Sequence, residues 1–135
     1  MVNEMDEYEK TIEDIKKTMG IVPGFMKQIP RDALVSEWPV FKKYEFGETD
    51  IPPRYRELIG LAVAANIKCP YCLLFHTEVA KMHGASEKEL SEVAMLASLT
   101  ARWSVILHAE RYDYATFEKE LGQIGAHLQK TAGKK

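Results

Sequence analysis

The chain's only two cysteines stand together as Cys69-Pro70-Tyr71-Cys72. Residues three apart on a helix lie on one face, with side chains about 5–6 Å apart, a separation a disulfide can bridge. The pair can therefore open and close. Proline directly after Cys69 suits a first helical position, which makes Cys69 the N-cap and puts the dithiol at the positive end of the helix dipole. That end favours thiolate, the form that attacks a peroxide or a disulfide. His76 follows four residues after Cys72 and seven after Cys69. It projects along the same side of the same helix, where it can serve the thiols as a base.

Glu57 lies nine residues before Asn66, and His76 lies eight after Lys68. An antiparallel helical hairpin turning at 66–68 would set the two level. A carboxylate there orients the imidazole, which can take a proton from Cys72 directly or through water. Taken alone, Glu57 is equally an ordinary acid favoured in a first helical turn, and spacing leaves both readings open. Cys69, Cys72, His76 and His83 share a helical face but span about 20 Å of axis, too far to converge on one tetrahedral ion. A metal on Cys72 and His76 would need ligands from another chain. No metal and no bound cofactor is expected, and His83, His108 and His127 receive no role.

The elements that must hold these residues are legible as helices. Met5, Tyr8, Ile12, Ile15 and Met19 recur at steps of three and four, and Gly20 follows as a stop. The stretch Ile21–Pro30 is a proline- and glycine-broken connector with room for one short turn. Asp32 is expected to cap a helix running to about Phe46, with Pro39 starting, kinking or interrupting a segment. Pro53 opens a helix through Asn66 that is apolar on nearly all sides and so expected to be buried. The cysteine helix runs from Pro70 to about His83. Ser86 and Glu89 form a capping box, starting another helix at Glu87. No proline or glycine intervenes from there to Leu121, and that length predicts a break near Leu96–Thr100. Tyr114, Phe117, Leu121, Ile124 and Leu128 carry an apolar stripe beyond it, and Thr131–Lys135 should fray. No period-two strand appears, so the fold class is all-α and 1–135 is expected to be a single domain.

Composition narrows the function classes. Eighteen basic against twenty acidic side chains give a net charge of -2, without the positive field that nucleic acid requires. The acidic start is unlike a secretory signal, and the longest apolar stretch, Leu58–Ala65, is far short of a membrane helix of roughly 20 residues. A soluble cytoplasmic protein with no nucleic-acid or membrane partner is the expectation, and a dithiol at this spacing suits a reducing compartment.

The letters Cys-Pro-Tyr-Cys invite comparison with glutaredoxins, but every proline lies at or before position 70, and the thioredoxin-like fold needs a later one beside its cysteines. The sequence instead resembles the alkylhydroperoxidase D and carboxymuconolactone decarboxylase superfamily. The resemblance is carried by Glu57, eleven residues, Cys69-x-x-Cys72, three residues and His76. Its flanks agree at Gly20-Ile-Val-Pro-Gly-Phe25, Pro53-Arg-Tyr-Arg-Glu-Leu58 and Met82-His-Gly-Ala-Ser-Glu87, so it spans about Gly20 to Glu92. It implies an AhpD-like helical domain of about six helices that assembles into homo-oligomers, trimers or hexamers. It also implies reduction of a hydroperoxide at the expense of an external dithiol, with Cys72 attacking and Cys69 resolving. The dipole alone favours Cys69 as nucleophile, whereas Cys72 is the closer to His76. Some peroxidase members carry a relay histidine where this chain has Tyr71, whose phenol, with a pKa of about 10, is a poor base at neutral pH; slow turnover is the consequence. Two other functions stay open: a decarboxylase-like lyase acting on a small acidic lactone, and a non-catalytic, redox-sensing helical subunit.

Overall fold

The computed structural model describes residues 4–133, and every regular element among them is helical. Helix α1, Glu7–Met19, begins with Asp6 accepting from the Glu9 amide at 2.7 Å while the Glu9 carboxylate accepts from the Asp6 amide at 3.1 Å. It ends at Gly20, whose φ of 82° a side chain would oppose. A 3₁₀ turn at Gly24–Gln28 leads to α2, Arg31–Phe46. Ile15 of α1, Met26 of the turn, and Leu34 and Trp38 of α2 form the buried cluster of this end, with Tyr8, Ile12 and Met19 packed around it. The expected stripe of α1 therefore faces the core. The buried indole of Trp38 donates to Asp14 Oδ2 at 2.7 Å, and Lys42 donates to the same carboxylate at 2.8 Å. Those bonds hold the Asp14 carboxyl below its usual range, Lys42 contributing most.

Two expectations about α2 are corrected. Asp32 does not cap it: Pro30 takes the N-cap position with no side-chain cap, and Asp32 sits in the first turn, where its charge still complements the dipole. Pro39 does not interrupt it either. The helix runs through, and the loss is confined to the amide that would have bonded the Val35 carbonyl.

Helix α3, Pro53–Ile67, reverses at Lys68, a left-handed residue at φ 56°, into α4, Pro70–Met82. These two pack most closely, with α5 and α2 also meeting α3. Buried Ala64 and Ala80 are small enough to let helix backbones approach. Helix α5, Glu87–Ala109, starts at the Ser86–Glu89 capping box and runs without the expected break at 96–100. Nothing there removes a backbone donor, and the hydroxyls of Ser98 and Thr100 bond back to the Met95 and Leu96 carbonyls within the helix. The chain turns at 110–113 instead, where Arg111 adopts φ 50° and Asp113 accepts from the Thr116 amide to cap α6, Tyr114–Ala132. Thr131 is still helical, its hydroxyl bonded to the His127 and Leu128 carbonyls, while 134–135 lie outside the described residues.

The expectation that α3 is buried all round also fails. Only Glu57 and Ala64 are enclosed, while Ile59, Val63 and Ile67 are more than half exposed in the single chain. The same holds for Leu96, Trp103 and Val105 of α5 and for Leu121, Ile124 and Leu128 of α6, and α6 has no buried residue. By length and composition α5 could cross a membrane. An uninterrupted apolar run misses it because the polar residues of its 23 are scattered, and it meets α3 in the fold.

Candidate active site: a dithiol beside a buried carboxylate and imidazole

The left-handed turn at Lys68 sets the α4 N-terminus beside the end of α3. Cys69 is the N-cap, and its sulfur accepts from the Cys72 amide at 3.3 Å. The two cysteines are free thiols, each half-buried. Their environments push them apart. The Cys72 thiol donating to the Cys69 sulfur, followed by the backbone amides of Cys72 and Tyr71, holds the Cys69 thiol below its usual range. Cys72 is pushed up, first because its proton is held in that hydrogen bond, then by burial and by the neighbouring charge.

Seven residues along α4 from Cys69, the His76 ring turns toward α3, and its Nδ1 lies 2.7 Å from Glu57 Oε2. Glu57 is wholly buried. The hairpin thus brings together the carboxylate and imidazole that the sequence spacing sets level. Close approach is possible because α3 presents Gly60 to the ring: a Cβ at that position would stand 2.6 Å from His76 Nε2. Gly60 carries no role in the sequence reading, yet a glycine costing about 1 kcal/mol inside a helix is itself a sign of a neighbour at backbone distance.

Cys72 and His76 line one cavity of about 600 Å³, walled chiefly by Ile51, Ile59, Val63 and Ile67, with Tyr44 and Arg56 also at its border. Cys69 is not among the lining residues; it touches Cys72 from the helix end. Glu45, at the end of α2, enters the same wall and was not singled out by sequence. Its ligand atom, that of Glu57 and that of His76 lie within 4.8 Å of one another, a spacing compact enough for a cation. The direct Nδ1–Oε2 contact, however, is the distance of a hydrogen bond that already uses both atoms. Arg56 reaches around the cluster, donating to the Gly47 carbonyl at 3.0 Å with its Nε 3.8 Å from Glu57 Oε1. Gly47 itself ends α2 where a Cβ would meet the Lys43 carbonyl at 2.6 Å, so the turn after Glu45 is tightly constrained. Tyr71 is exposed and makes no side-chain hydrogen bond in this array.

A helical fold that presents a dithiol at a helix N-terminus, with an imidazole and a buried carboxylate on the adjoining helix pair, defines an AhpD-like protein. Comparison with known proteins agrees. The family model described as the carboxymuconolactone decarboxylase family matches residues 37–113. The chain belongs to that family. The crystal structure of the alkylhydroperoxidase AhpD core from Rhodospirillum rubrum superposes with a TM-score of 0.68 at 27% identity, covering 82% of this chain and 86% of that one. Two curated relatives are themselves uncharacterized proteins: protein 4 in the cox locus of Paracoccus denitrificans, 28% identical over 51% of this chain and 62% of its own length, and one from Cupriavidus necator, 42% identical over 32% of this chain and 38% of its own. The match therefore spans less than two-thirds of either relative.

The thiol environments give a pH prediction. A lowered pKa exposes thiolate at lower pH, so Cys69 should react with iodoacetamide at a lower pH than Cys72. Cys72→Ala removes the leading cause and should move the Cys69 midpoint up toward that of an ordinary thiol. Site-resolved alkylation read by mass spectrometry checks both; equal midpoints, or a Cys69 midpoint indifferent to Cys72→Ala, would contradict the assignment.

Proposed function

We propose that this chain is a thiol-dependent hydroperoxide reductase. The observation that carries the reading is that Cys72 and His76 share an apolar cavity while His76 is backed by buried Glu57 at 2.7 Å. In the proposed cycle, His76 takes the Cys72 proton and the Cys72 thiolate attacks the terminal oxygen of a hydroperoxide. The O–O bond breaks, the leaving alkoxide takes the proton back from the imidazolium, and Cys72 becomes a sulfenic acid. The Cys69 thiolate then attacks that sulfur, expelling hydroxide, which leaves as water once protonated, and closing the disulfide. An external dithiol reduces it by exchange, restoring both thiols. The sum is hydroperoxide plus dithiol giving alcohol, water and a disulfide.

The two cysteines take complementary parts. Cys69, whose thiol is lowered first by the hydrogen bond from Cys72 and then by the helix amides, is the readier to act as the resolving thiolate, whereas Cys72 depends on His76 to lose its proton. This reconciles the dipole argument, which favours Cys69 as the acidic thiol, with Cys72 as the attacking one. The apolar cavity suits an alkyl hydroperoxide, and no bound cofactor enters the cycle. A dithiol chemistry of this kind suits a reducing compartment, and the cytoplasm is the location proposed with it. Arg56 on the cavity wall favours the second reading, a lyase on a small acidic lactone with His76 as base, although its guanidinium is already engaged by Gly47 and Glu57.

The exposed stripes of α3, α5 and α6 support assembly into trimers or hexamers, in which copies of the chain cover one another's apolar faces.

Peroxide consumption with dithiothreitol tests the cycle. Cys72→Ser should abolish turnover, Cys69→Ser should leave a single oxidation without cycling, and His76→Ala should lower the rate by about 100-fold or more. Full rate in Cys72→Ser would overturn the reading, and muconolactone turnover surviving loss of both thiols would establish the lyase. For assembly, light scattering should give a trimer or hexamer, shifted to smaller species by Leu121→Glu; a monomeric native chain would refute the covering of α6.

A further inference from the structure

Two oxygens in the site have no partner. Glu57 Oε1 and Glu45 Oε2 are both buried and neither makes a hydrogen bond. They belong to carboxyl groups whose nearest ligand atoms, with that of His76, fall within 4.8 Å. Two ionised carboxylates at such range repel, and each buried acceptor without a donor has lost its water for nothing in return. One proton removes both penalties. We propose that Glu45 is held as a neutral carboxylic acid that donates its proton to Glu57 Oε1, making Glu45 the positioning residue of a three-member array, Glu45–Glu57–His76.

The surroundings agree. Burial first, and then the charge of Glu57, raise the Glu45 pKa above its ordinary 4.5, while His76 and Arg56 act in the opposite sense. Those three groups face Glu45 from α3 and α4; Asp50, on the loop after α2, and Cys72 border the same cavity. Arg56 is pinned to the Gly47 carbonyl through another nitrogen, and its buried Nε stands 3.8 Å from Glu57 Oε1, an ion-pair separation too long for a hydrogen bond, so both atoms keep an unmet bond. With Glu45 donating to one oxygen of Glu57 and His76 bonded to the other, the carboxylate cannot rotate. The imidazole tautomer is thereby fixed, with Nδ1 toward Glu57 and Nε2 left for proton exchange. This role rests on the reading of Glu57 and His76 as a proton relay.

The test uses the full chain without peroxide, so its outcome is independent of the peroxidase assay. At pH values where ordinary carboxylates are already ionised, infrared spectra in D₂O should still show the carbonyl stretch of a protonated carboxylic acid, titrating away only as the pH rises further. The band should be missing in Glu45→Gln and Glu45→Ala. The His76 ring resonances should be kept by Glu45→Gln, whose amide can donate to the same oxygen, and displaced by Glu45→Ala. Absence of the band in the native chain, its persistence in Glu45→Gln, or identical His76 resonances in all three proteins would overturn the proposal. So would stoichiometric binding of Mn²⁺ or Zn²⁺ lost on Glu45→Gln, which would make the cluster a cation site. If peroxide turnover fails while the band behaves as described, the array stands and only its use is wrong.

Discussion

A fully enclosed carboxylate is expensive unless its oxygens are partnered, and Glu57 is, among the described residues, one of the two largest side chains entirely withdrawn from solvent. Its partner is the His76 ring at 2.7 Å. Much of the local architecture follows from making that contact possible. Lys68 accepts a left-handed backbone so that α3 and α4 reverse tightly, and Gly60 leaves out a side chain so that the ring can lie on α3. Arg56 joins the turn at Gly47 to the same region, which brings the end of α2, and Glu45 with it, into the wall of the cavity.

The helix N-terminus supplies the other half of the chemistry. A thiol at an N-cap receives backbone amides that would otherwise lack partners, so capping the helix adds to the lowering of Cys69 that the Cys72 thiol begins. Cys72 stands one turn deeper, donates a hydrogen bond to that sulfur, and lines the cavity that His76 also borders. The spacing of three residues thus divides an acidic sulfur from a sheltered one.

Local signals carried most of the fold. The capping box at Ser86, the N-cap at Cys69 and the stop at Gly20 each depend on a few adjacent residues, and each appears in the structure; the box at Asp6, equally local, was not read from the sequence. The family resemblance rests on a fixed ladder of residues, and both the family match and the AhpD core structure agree with it. Where longer range decides, the sequence was less informative. Length alone suggested a break at 96–100, but the turn is set by Arg111 and Asp113, which no proline or glycine marks. The apolar circumference of α3 suggested burial, yet Ile59, Val63 and Ile67 are exposed because apolar pattern does not say whether the cover comes from the same chain. Glu45 had no signal at all, since its meaning depends on α2 meeting α3.

In the proposed relay Glu57, through His76, governs the ionisation of Cys72. That control is tested most directly in a Cys69→Ser background, where thiolate absorbance against pH reports Cys72 alone. Replacing Glu57 by Gln removes the carboxylate that orients the imidazole as the proton acceptor, so the Cys72 midpoint should move to higher pH while the helical circular dichroism stays the same. A midpoint unchanged by that substitution would show that the buried pair has no hold on the thiol.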